Sequence, residues 1–110
     1  MQYEDVAPVT KNEAERAFKS LEPNQIVNAL LGITYFDADW EWVQDWCLHF
    51  LESKDVSVRN AAIACLGHLA RIHKTINKPK VLGALRNHIK DASFEGRIED
   101  AIDDIEMFAK

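Results

Sequence analysis

Apolar residues along this chain recur at i, i+3, i+4 and i+7, the spacing that places them on one side of an α-helix. Ala14, Ala17, Phe18 and Leu21 form the first stripe. Thr10 stands ahead of it with Glu13 three residues on, a pair whose side chains can satisfy each other's unpaired backbone N–H groups at a helix start. Pro23 opens a second helix, where its missing N–H is not needed. Ile26, Val27, Leu30, Leu31 and Ile33 or Thr34 carry that helix to about Tyr35. Gly32 lies inside it and costs about 1 kcal/mol against alanine, so it demands a packing reason. A third helix runs from Trp40 to about Glu52, capped by Asp37 or Asp39, and buries Trp42 or Val43, Trp46, Cys47 and Phe50. The short turn Ser53-Lys54-Asp55 sends the chain back antiparallel. Val56 to about His73 is the longest helical pattern, built on Val58, Ala61, Ala62, Cys65, Leu66, Leu69 and Ile72. A loop from Thr75 leads to a fifth helix near Pro79, on Val81, Leu82, Leu85 and Ile89. Asp91-Ala92-Ser93 ends it, and a last helix begins near Phe94 or Glu95, on Ile98, Ala101, Ile102, Ile105 and Phe108. No segment alternates at period two for long enough to predict a strand. The expectation is an all-α fold of six helices in three hairpins, one domain over 1–110, with 1–9 as a loose N-terminal arm.

Two of these hairpins are worn copies of one another, 39 residues apart. Trp42, Val43, Trp46 and Phe50 align with Val81, Leu82, Leu85 and Ile89; Ala62, Ile63, Leu66, Leu69 and Ala70 align with Ala101, Ile102, Ile105, Phe108 and Ala109. A helix pair recurring at such a period marks a stacked α-solenoid, an architecture that mostly holds other macromolecules. Asp55-Val56-Ser57-Val58-Arg59, running into an alanine-rich helix, resembles the second half of a HEAT repeat, in which a turn aspartate is followed by Val-Arg. Asp55, Val58 and Arg59 stand at those positions. The resemblance covers Asp39 to Ala109 and implies a right-handed α–α superhelix. It departs in the last repeat, where Phe94 replaces the aspartate and Arg97 sits one position early. The first hairpin matches in hydrophobic pattern alone. Arg59 is expected to tie the turn aspartate or helix ends together.

Composition narrows the partner. Eighteen acidic residues face thirteen lysines and arginines, a formal net charge of −5. A nucleic-acid binder usually carries a basic face, so this balance argues against one and favours a basic protein partner. Two cysteines, Cys47 and Cys65, sit inside apolar helical patterns and read as free, buried thiols of a reduced cytosolic protein. The acidic start lacks a signal segment. No apolar run approaches the roughly 20 residues that span a bilayer. A chain free in the cytoplasm, monomeric on its own, is the expectation. A small, acidic, cytosolic HEAT-like chain is similar to the immunity proteins that protect bacteria from contact-dependent growth-inhibition toxins. That resemblance implies binding to a toxin's C-terminal domain, often a nuclease; a HEAT-like adaptor or scaffold subunit is the alternative.

Motifs of catalysis and cofactor binding are missing. His49, His68, His73 and His88 are dispersed, without metal-ligand spacing; nucleophile elbows and Gly-rich phosphate loops are likewise absent. Neither enzymatic activity nor a cofactor is expected. Three places could bind a partner. Glu95, Glu99, Asp103 and Glu106 share one face of the last helix, flanked by Asp100 and Asp104. In HEAT stacks the second helices line the concave side, so these carboxylates are expected there. On the preceding second helix the equivalent face carries Asn60, Ala64, Gly67 and Arg71, whose small members leave a groove. The loop Tyr35-Phe36-Asp37-Ala38-Asp39-Trp40-Glu41 alternates aromatics and carboxylates. Trp42 and Trp46 are expected in the core, while Trp40 points about 200° away from Trp42 and is either an interface anchor or a plug under the first hairpin. The predicted partner-binding set is Tyr35, Phe36, Asp37, Asp39, Trp40, Glu41, Asn60, Arg71, Glu95, Glu99, Asp103 and Glu106.

Overall fold

A computed structural model describes residues 7–110 and contains, in order, α1 (Lys11–Lys19), α2 (Pro23–Phe36), α3 (Trp40–Phe50), α4 (Val56–His73), α5 (Lys78–His88) and α6 (Glu95–Phe108). No strand occurs among the described residues. Consecutive helices pair as α1–α2, α3–α4 and α5–α6, and the second helices pack side by side with α4 between α2 and α6. The result is an all-α stack of three hairpins, 30 × 28 × 24 Å.

Helix starts follow local chemistry. At α1 the Glu13 N–H donates to Thr10 Oγ1 and the Thr10 N–H donates to Glu13 Oε1, both at 3.1 Å, so the expected capping box is closed. Pro23 is at the first turn of α2. Asp39, Asp55 and Asn77 accept from the N–H groups of Trp42 (3.3 Å), Val58 (3.0 Å) and Lys80 (3.3 Å), capping α3, α4 and α5. Among the described helices α2 and α6 have no side-chain cap. Arg59 does not reach Asp55. Its guanidinium donates to His88 Nδ1 at 3.1 Å, stands 3.9 Å from Asp91 and covers the Phe94 ring at 4.4 Å, joining α4 to the turn of the next hairpin.

The core runs through all six helices. Leu30, Ile33, Val43, Ile63, Leu66, Leu69, Leu85, Ile98 and Ile105 are fully buried, each worth about 1.5–3 kcal/mol of transfer free energy. Some expected core positions are only partly buried or are exposed. On α3 the innermost stripe is Val43, Cys47 and Phe50 with Gln44, which leaves Trp42 and Trp46 half-buried at its edge. Gln44 is tolerated inside because its Oε1 accepts the Asn77 N–H at 2.8 Å. Ile72 is 39 % exposed. Leu21 falls after the end of α1, where the helical phase has stopped, and is 81 % exposed.

Two glycines set distances between segments. A Cβ on Gly32 would lie 2.4 Å from Val9 Cγ2 and 2.8 Å from the Ala7 carbonyl oxygen. Gly32 therefore lets the strand of chain before α1 cross α2. Within the expected arm, residues 1–6 lie outside the described residues, and Val9 packs against the core. A Cβ on Gly67 would lie 3.2 Å from Asp104 Oδ2 and 3.4 Å from Ala101 Cα, so its absence brings α6 close to α4. Leu21 (φ 62°) and Lys74 (φ 60°) adopt the left-handed conformation, at a cost of roughly 1–2 kcal/mol each for residues with a Cβ.

Candidate protein-binding groove

The layer of second helices is hollowed along α4. Ala61, Ala64 and Gly67 recur every three residues there, and side chains this small leave space between the neighbouring helices. Two adjoining depressions share Asn60, Ala64 and Arg97. One, about 150 Å³, is closed by His68 and Gly67 of α4 and by Asp100, Ala101 and Asp104 of α6. The other, about 250 Å³, lies between Val27 and Leu31 of α2 and Ser57 and Ala61 of α4. Asn60 sits where they meet. Its Oδ1 is buried and has no hydrogen-bond partner among the described residues. A desolvated acceptor of this kind favours any ligand that brings a donor.

One end of the groove is polar. Arg71 Nε stands 3.8 Å from Asp104 Oδ2, at ion-pair distance, and Arg71 Nη2 donates to His68 Nδ1. A guanidinium can only donate, so the His68 proton resides on Nε2. The Tyr35 ring lies 5.3 Å from the His68 ring. Burial pushes the His68 pKa down, the Arg71 charge adds to that, and Asp104 opposes it. Near neutral pH His68 is an uncharged wall of the groove.

The predicted site residues divide. Asn60, Arg71 and Tyr35 meet in or at the end of the groove. The loop carboxylates are turned to structural use: Lys11 Nζ is 3.2 Å from Asp39 and 3.6 Å from Asp37, while Asp37 Oδ1 accepts the Asp39 N–H at 2.8 Å. Lys11 holds the Asp39 carboxyl below its ordinary range, and Asp39 in turn raises the Lys11 pKa. The Lys11 ammonium also covers the Trp42 ring at 5.0 Å. Trp40 is half-buried against the core, whereas Phe36 and Glu41 are exposed.

The acidic stripe does not line the hollow. Residues 97, 100, 101 and 104 face α4, so at 100° per residue Glu95, Glu99, Asp103 and Glu106 fall on the opposite flank of α6. Glu106 there pairs with Arg86 of α5 at 3.7 Å. This corrects the expectation that those four carboxylates share the concavity; Asp100 and Asp104 are the ones that do. The missed signal was helical phase: Arg97, Asp100 and Asp104 flank Ala101, the small residue that meets Gly67. Charge is nevertheless concentrated on this helix. It carries six carboxylates and one arginine, a net of −5, while twelve acidic and twelve basic residues cancel in the remainder of the chain.

Elsewhere the chemistry is quiet. Cys47 and Cys65 are both buried, and the hydrogen bond with Cys65, together with burial, pushes the Cys47 thiol well above its usual range. A protonated, enclosed thiol is a poor nucleophile. Among the described residues no three His, Cys, Asp or Glu side chains converge to hold a metal, and no helix is long and apolar enough to cross a membrane.

No protein-family model matches this chain, and no curated protein matches it. A chain in the crystal structure of a CDI complex from Cupriavidus taiwanensis does match. The two share 29% sequence identity over 100% of this chain and 99% of that one, with a TM-score of 0.87. The likeness spans the whole fold rather than one hairpin.

Proposed function

We propose that this chain is the immunity partner in a contact-dependent growth-inhibition system, a cytosolic protein that binds a toxin domain and neutralises it. The observation that carries this reading is the end-to-end likeness, at 29% identity, to a chain of a CDI complex. Charge supports the immunity side of such a pair: a toxin acting on nucleic acid needs a basic surface, and a −5 helix is its complement. The contact surface is the groove over α2, α4 and α6. Asn60 Oδ1, Asp100 and Asp104 accept from lysine or arginine of a basic, nuclease-like domain, Tyr35 and Arg71 close one end, and Glu95, Glu99, Asp103 and Glu106 steer from the flank. Phe36 and Glu41 form an exposed rim at the α2–α3 loop. The Asp55-to-Arg59 turn and the side-by-side second helices support reading the hairpins as HEAT-like repeats.

The test is titration calorimetry with the toxin domain of the cognate contact-dependent growth-inhibition system. A stable complex whose affinity weakens with added salt is expected. Ala64→Trp fills the groove and lowers affinity by about 100-fold, or ~2.7 kcal/mol, with helix content unchanged. Absence of any complex with the unaltered protein sinks the function; equal binding by both proteins moves the contact away from the groove.

A further inference from the structure

We infer that Leu21 and the depression beside it form a second contact point for the same protein partner, receiving an apolar side chain flanked by lysine or arginine. This rests on the reading of the chain as a toxin-domain binder and extends the contact beyond the groove.

Leu21 combines two features that the fold itself does not explain. Its backbone is left-handed, a conformation that glycine adopts freely after a helix end and leucine does not. Its side chain is 81 % exposed. Lys74, the other non-glycine residue in this conformation, gives the contrast. Its carbonyl accepts the Lys110 N–H at 3.1 Å and its ammonium covers the Phe108 ring at 4.7 Å, so contacts within the fold use both its backbone and its side chain. Nothing comparable holds the Leu21 side chain. The turn is nevertheless set firmly: Ser20 Oγ donates to the Ala17 carbonyl at 2.6 Å and accepts the Glu22 N–H at 3.2 Å. A strained backbone kept in place to display a bulky apolar group is characteristic of a binding element.

The surroundings state what it would meet. Leu21, Ile26, Phe50 and Val58 line a depression of about 270 Å³, and Glu52 and Asp55 stand at its rim. Apolar walls accept an aliphatic or aromatic side chain; the two carboxylates complement a neighbouring cation. The depression also adjoins the groove. Ile26 and Val58 face it, while their neighbours Val27 and Ser57 face the groove, so only the first turns of α2 and α4 separate the two. One domain can straddle that ridge.

The experiment compares the full chain with Leu21→Gly and Leu21→Met, by calorimetry against the cognate toxin domain and by thermal unfolding of the free proteins. Leu21→Gly is expected to bind about tenfold or more weakly while melting at the same or a higher temperature, because the strain is relieved and no core contact is lost. Leu21→Met keeps the apolar contact and most of the affinity. Equal affinity of the unaltered protein and Leu21→Gly overturns the inference, as does a loss of affinity that merely follows a loss of stability. Failure of the unaltered protein to bind overturns the functional reading itself, and the second contact with it. Self-association in sedimentation that Leu21→Gly abolishes would assign the depression to a second copy of this chain and overturn the inference.

Discussion

The α3–α4 turn and the α5–α6 turn occupy the same place in two copies of one hairpin, yet they are held by different physics. In the first, Asp55 caps the helix: its Oδ1 accepts the Val58 N–H at 3.0 Å and the Ser57 hydroxyl at 2.5 Å. In the second, 39 residues on, Phe94 stands in that register, cannot cap, and is instead 3 % exposed beneath the Arg59 guanidinium. Arg59 belongs to the earlier hairpin. The uncapped turn is therefore fastened by its neighbour, with an apolar contact between hairpins standing where the first turn has a polar local cap.

The largest effect that can break this contrast lies at Phe94. Phe94→Ala should destabilise by about 3–5 kcal/mol, read by urea unfolding, and Phe94→Asp should remain well below the unaltered protein although it restores the aspartate of the repeat. Unaltered stability in Phe94→Asp would make the two turns equivalent. A double-mutant cycle with Arg59→Ala sharpens the point, with an expected coupling of about 1 kcal/mol between the two side chains. Asp55→Ala should cost less than Phe94→Ala and change the acid limb of unfolding. The Ser57 hydroxyl and the Val58 N–H hold the Asp55 pKa below 3.8. Its contribution is present above that value and lost as pH falls beneath it, so Asp55→Asn should retain the cap but flatten the dependence below about pH 4. The smallest effect belongs to the groove. Burial depresses the His68 pKa below 6.5, so stability should be full above that pH and decline as pH drops through the lower, folded-state value. Thermal melts from pH 7 to 5 should show this decline, and His68→Asn should remove it.

Helix phases and starts were readable because they depend on neighbours in sequence: the Thr10–Glu13 box, Pro23 opening α2 and the span Val56–His73 all occur as the pattern implies. The groove was half readable. Asn60, Ala64 and Gly67 announce a hollow, since small residues at helical spacing leave one wherever another helix packs. What fills the far wall depends on the rotation of α6 about its axis, which is set by Ala101 meeting Gly67, and that contact spans 34 residues of sequence. A one-flank difference moved the expected carboxylates out and brought Asp100 and Asp104 in. Trp42 and Trp46 pack on the core from its edge, where an indole can shelter a ring face on Phe18 or under Lys11 without entering the interior. Leu21 carried an apolar letter in a helical register that had already ended.

The concentration of negative charge on α6 gives the molecule a mechanical property. The other five helices carry eight basic and four acidic residues, so an external field pulls α6 and the rest of the helical body in opposite directions. The field then exerts a torque as well as a net force, and the protein turns its α6 wall as it drifts. Moving those carboxylates evenly over the surface would preserve the attraction and abolish the aim.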